Sequence, residues 1–140
     1  MNRSLARLEA LAVRQRLSIG VLASNSPSDF ALVLAAAGCG IAPGETLSEP
    51  EVNARLKSFL DGGGTMLAVD HVELRRWLVD NGVLARDGYG RAYTRGAPRA
   101  EIAVAMEELA GADLRTIVDE ARIRDASQRA ERKRTWQAAQ

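Results

Sequence analysis

Cysteine, histidine, aromatic side chains and long apolar runs are all scarce in this 140-residue chain, and each scarcity excludes something. A single cysteine, Cys39, rules out an internal disulfide. With His71 as the sole histidine, it also leaves too few ligands for a zinc site. Aromatic residues make up 4% of the chain against 46% apolar residues in all, so the core must be built from Ala, Leu, Val and Ile. That material suits packed helices better than a β-sandwich. No apolar run approaches membrane-spanning length, and "MNRSLARLEA" is amphipathic where a signal peptide would be apolar. A soluble, cytoplasmic protein without a membrane partner is expected, and its thiol content suits a reducing compartment.

Net charge is scarce too. Acids and bases nearly cancel at +1, so no field of the whole molecule points to a polyanion. The charges are nevertheless segregated along the chain. Residues 81–100 carry four arginines and one aspartate, 101–120 one base against six acids, and 121–140 six bases against two acids. Basic patches can therefore exist on an almost neutral surface.

At this length one domain, residues 1–140, is expected. Leu5, Leu8, Leu11 or Ala12, and Gln15 recur with helical spacing and predict a first helix over 4–17. "SNSPSD" at 24–29 is turn chemistry, with Ser26 or Ser28 placed to cap the next helix. That helix, "FALVLAAA", is apolar on nearly every side and should sit in the centre of the core. Ser48 and Glu51 have the spacing of a capping box, and Pro50 is tolerated in a first turn. Val52, Leu56, Phe59 and Leu60 then share a face, and "DGGG" at 61–64 ends the helix and reads as a flexible linker. "TMLAV" reads as a short strand. Asp70 caps a helix that Gly82 closes in a left-handed conformation. "VLAR", "DGYG" and "RAYTR" form a hairpin around Asp87-Gly88, with Gly90 at a bulge. Two further helices follow, from Pro98 or Arg99 to Leu109 and from Asp113 onward. The expected class is mainly α (α+β): a winged-helix-like domain with a small β-hairpin and additional N- and C-terminal helices. Residues 47–95 form its core, and 98–140 a helical extension whose end is open to disorder.

"TLSEPEVNARLKSFL" followed by "DHVELRRWLVDNGVLARDGYGRAY" resembles the bacterial domain of unknown function 2087. That family pairs an E-x-E-V-N-x-x-L-type helix with a D-h-x-x-L-R-R-x-L-V-D-x-G-x-L-x-R segment and a glycine–tyrosine hairpin. The matching residues are Glu49, Glu51, Val52, Asn53, Leu56, Leu74, Arg75, Arg76, Leu78, Val79, Asp80, Gly82, Leu84, Arg86 and Tyr93. The resemblance implies a module that stands alone or is fused to winged-helix regulators of the ArsR type, and hence work related to transcription. It supplies no catalytic residues. The glycine-rich 61–64 stretch and the long C-terminal extension depart from it.

The arginine pair splits by helical geometry. Arg76 faces Glu73 and Asp80, an ordinary set of surface charge pairs. Arg75 falls within the apolar arc of Val72, Leu74 and Leu78, where a guanidinium needs a fixed acceptor; Glu51 and Asp61 are the nearest by topology. The alternative for Arg75 is a ligand phosphate. In the hairpin Arg86, Arg91, Arg95 and Arg99 surround Tyr89 and Tyr93 with little acid among them. Such a surface suits the phosphate backbone of a nucleic acid, or is a solvated face that offsets the acidic 101–120 helix. The tail "RIRDASQRAERKRTWQ" is a basic arm or a docking helix. Asp70-His71 has no serine to activate, Cys39 no nearby base, and "DGGGT" no Lys-Ser/Thr, so no catalytic residues, no metal and no cofactor are expected. Two functions remain. One is a regulator, expected to be a homo-oligomer, that binds nucleic acid, most simply DNA, in transcriptional control; the other is a protein-binding adaptor of the same fold.

Overall fold

The computed structural model describes residues 2–140. The protein is mainly α with one small antiparallel sheet, as expected. Its helices are α1 (Arg3–Ala12), α2 (Ile19–Asn25), α3 (Pro27–Gly38), α4 (Glu49–Leu60), α5 (His71–Asp80), α6 (Ala100–Leu109) and α7 (Leu114–Ala138). The strands are β1 (Leu47–Ser48), β2 (Leu84–Arg86) and β3 (Ala92–Arg95).

α3 is the central helix. Every residue from Asp29 to Gly38 is buried, and α1, α2, α5 and α6 all pack around it. Its apolar circumference is the reason, since no face of it could be left in water. The helix begins at Pro27, where a missing N–H forfeits no helical bond. Ser26 does not cap it by accepting an amide; its hydroxyl donates to Asp29 Oδ2 at 2.8 Å.

The starts of α4 and α5 follow from local chemistry. Ser48 Oγ accepts from the Glu51 amide at 3.3 Å, and Glu51 Oε1 from the Ser48 amide at 3.0 Å. Asp70 Oδ1 accepts from the Glu73 amide at 2.8 Å. Gly82, at φ 75°, turns the chain out of α5, and its left-handed conformation suits glycine. Leu74 and Leu78 are buried on α5, but Val72 is 51% exposed and so lies outside the expected apolar arc.

Long-range bonds override the local pattern in three places. The helix expected over 4–17 ends at Ala12 and a second begins at Ile19, capped by Ser18. Between them the Leu17 amide donates to the Met66 carbonyl and the Ala68 amide to the Leu17 carbonyl, both at 2.8 Å. "TMLAV" accordingly forms only this single bridge to Leu17, not a strand. The two residues of β1 pair with β3, Leu47 opposite Tyr93 and Ser48 opposite Ala92, while β2 pairs with the other side of β3. The sheet order is thus β1-β3-β2.

"DGGG" is a packed corner rather than a linker. Gly62, Gly63 and Gly64 are buried, and the Gly64 amide donates to the Phe59 carbonyl at 2.8 Å. A Cβ on Gly64 would stand 2.5 Å from the Phe59 ring, and one on Gly63 3.0 Å from Leu114 at the start of α7. Glycine is required here by close approach.

Candidate functional site

The β2–β3 hairpin projects its tip into solvent. Asp87 organises the turn: its amide donates to the Ala92 carbonyl at 3.0 Å, and its carboxylate accepts the Arg91 amide at 2.8 Å. That bond, with weaker ones from neighbouring amides, holds the Asp87 carboxyl below its ordinary range. Gly90 completes the bulge at φ 69°. Arg86 and Arg91 are exposed, Tyr89 is 84% exposed, and the Arg91 guanidinium lies 6.0 Å from the centre of the Tyr89 ring. Among the described residues, neither Arg86 nor Arg91 forms an ion pair. Two cations and a ring are thus free at one hairpin tip.

The other two arginines expected beside them are engaged elsewhere. Arg95 is half-buried, and its Nε donates to the Ile41 carbonyl at 2.7 Å, closing the loop after α3 onto the sheet. Arg99 lies at the start of α6, 5.8 Å from the Phe30 ring centre and 4.0 Å from Glu101. Arg95 is thus held by the fold and leaves the exposed set, whereas Arg99 stays exposed but lies at the start of α6, away from the hairpin tip. Tyr93 is 1% exposed and belongs to the core.

Arg75 is internal as well, with different acceptors from those expected. Its Nη1 donates to Asn53 Oδ1 at 2.5 Å, and its Nη2 lies 3.5 Å from Glu49 Oε1. The Tyr93 hydroxyl donates to the same Glu49 oxygen at 3.2 Å. Glu51 is occupied with its own capping box and Asp61 is exposed at the end of α4, so neither carboxylate serves Arg75. Glu49 and Asn53 are one helical turn apart on α4 and present two acceptors to α5 together. Arg76 is exposed and makes no ion pair among the described residues; Glu73, expected to hold it, accepts from Trp77 Nε1 at 3.4 Å.

Sequence reasoning missed one buried carboxylate and its arginine partner altogether. Asp29 is 3% exposed and accepts two bonds from Arg7, Nε to Oδ1 at 2.8 Å and Nη2 to Oδ2 at 2.9 Å. This guanidinium holds the Asp29 carboxyl below its ordinary range. Cys39 shows the reverse: burial pushes its thiol up, and Sγ lies 3.8 Å from the Met106 carbonyl, the setting of an unactivated thiol.

Residues 25–95, just over half of the chain, match the family described as uncharacterized protein conserved in bacteria (DUF2087). The chain belongs to this family. Its match spans α3 to β3 and so takes in the central helix as well as the segment from Leu47 that carries the resemblance. Glu49, Asn53, Arg75 and Tyr93, four residues of the DUF2087 signature, converge on one polar cluster that ties α4 to α5 and β3. Comparison with curated proteins and with solved structures gives no match. No helix among the described residues is long and apolar enough to cross a membrane.

Proposed function

We propose that this DUF2087 protein is a winged-helix regulator that binds nucleic acid, most simply DNA, in transcriptional control. The order α3-β1-α4-α5-β2-β3 with sheet order β1-β3-β2 supports a winged-helix reading, in which α5 takes the recognition position and residues 87–91 the wing tip. The observation that carries the reading is the wing itself: Arg86, Arg91 and Tyr89 are exposed, and their cations are unpaired. Wing arginines of this kind lie along phosphates and add affinity that salt removes. α5 contributes less, because its exposed Arg76 stands between Glu73 and the exposed Asp80. Affinity therefore comes from the wing and is largely independent of base sequence. The protein acts in the cytoplasm, without enzymatic activity, as a homodimer whose two wings double the number of phosphates reached.

Replacing Arg86 and Arg91 with alanine tests this. Fluorescence anisotropy at two salt concentrations should show weaker binding to all duplexes alike. The slope of log affinity against log salt should fall by roughly 0.9 for each phosphate that is no longer neutralised. Arg95 is left in place, since its removal would disturb the fold. Binding untouched by the double substitution would move the function to the second reading, a protein-binding adaptor. The half-exposed Val72 beside the acids of α5 favours that alternative.

A further inference from the structure

α7 continues well past the body it packs on. Leu114, Val118 and Ala121 seat its first half, which packs against α1, and the Arg124–Glu9 ion pair marks the end of that interface. From Ala126 to Ala138 every residue is exposed, although the helix is unbroken. At 1.5 Å per residue this free arm is about 20 Å long.

Its composition restricts what can cover it. Arg129, Arg132, Lys133 and Trp136 recur at i, i+3, i+4 and i+7 and so share one face. That face continues the line of Val118, because Trp136 follows Val118 by about five turns. Arg129 is paired with Asp125 at 2.9 Å, whereas Arg132 and Lys133 make no ion pair among the described residues. The opposite side carries the Glu131–Arg134 pair at 2.5 Å and is locally neutral. Trp136, 65% exposed, is the single large apolar side chain on the arm. A helix lying in a bilayer interface needs a continuous apolar face, and none is present. A second copy of the arm would oppose like charges without an apolar seam. The complementary occupant is a polyanion that also offers an apolar face.

We propose that residues 126–138 of α7 form a second nucleic-acid binding surface, separate from the wing, in which Arg129, Arg132 and Lys133 meet phosphates and Trp136 packs on a deoxyribose face of the backbone. This rests on the nucleic-acid reading of the chain but not on the wing as its site. The test uses the full-length protein and mixed-sequence duplex DNA in two arms. One arm is the combined Arg129→Ala, Arg132→Ala and Lys133→Ala variant with the wing intact; the other is the Arg86→Ala and Arg91→Ala variant with the helix intact. All substituted positions are exposed, so unchanged far-ultraviolet circular dichroism verifies folding. The helix variant should lower the salt slope by roughly 0.9 per phosphate released, to a total of about 2–3. In the unaltered protein, indole emission should be quenched on titration, and Trp136→Phe should remove that quenching. An unchanged slope and silent emission would overturn the proposal, and a surviving effect of the wing variant would then leave the wing reading standing. A slope that falls only in the helix variant would keep the arm and dismiss the wing. No binding by the unaltered chain would dismiss both.

Discussion

Arg75 donates to Asn53 from inside the α4–α5 interface, while Arg76, the next residue, extends into solvent. The side chain of Arg75 is 19% exposed, and two fixed acceptors surround it. Arg75→Ala should therefore destabilise the protein by about 1.5–3 kcal/mol, the usual contribution of a hydrogen bond to a charged group. Arg76→Ala should cost about 0–1 kcal/mol, as for other exposed charges. Urea denaturation of both variants decides it, and equal midpoints would mean that the cluster carries no stability. Helical periodicity is enough to tell the two arginines apart. It cannot name the acceptors: the capping-box spacing already commits Glu51, but that Glu49 and Asn53 face Arg75 depends on how α4 packs against α5. Arg95 is illegible for another reason: its acceptor is the Ile41 carbonyl, and a backbone oxygen leaves no mark in a sequence. Asp29 and Arg7, on different helices, are equally hidden.

Among the elements, α4, α5, the hairpin and the start of α7 are legible because local rules govern their ends: a capping box, two aspartate caps, a left-handed glycine and a tight turn; α3 is legible from its continuous apolar run instead. β1 is not, since two residues become a strand only by meeting β3. The break between α1 and α2 depends likewise on the bridge from Leu17 to Leu67. The corner at Gly62–Gly64 reads as flexible because the Phe59 ring and Leu114 that press on it arrive from outside the motif. Gly64→Ala should cost about 1–3 kcal/mol through overpacking. Gly88→Ala, where an added Cβ meets nothing within 4 Å, should change stability by less than about 0.5 kcal/mol. Thermal melts of the two variants compare them directly, and a neutral Gly64→Ala would show that the corner yields.

At the scale of the molecule, a net charge of +1 conceals a division of labour. Cations near the core, among them Arg7, Arg75 and Arg95, are engaged by internal acceptors, whereas Arg86, Arg91, Arg132 and Lys133 are left to solvent. The two exposed sets lie in different parts of the chain. The β2–β3 hairpin tip is inside the DUF2087 match and the helical arm outside it. An amide-resolved NMR titration of the isotopically labelled full-length protein with duplex DNA tests the account most directly. Shifts concentrated at residues 86–91, with a second group at 129–136 and a quiet α3 and α4, are the predicted result. Shifts confined to other surfaces, or none at physiological salt, would contradict it.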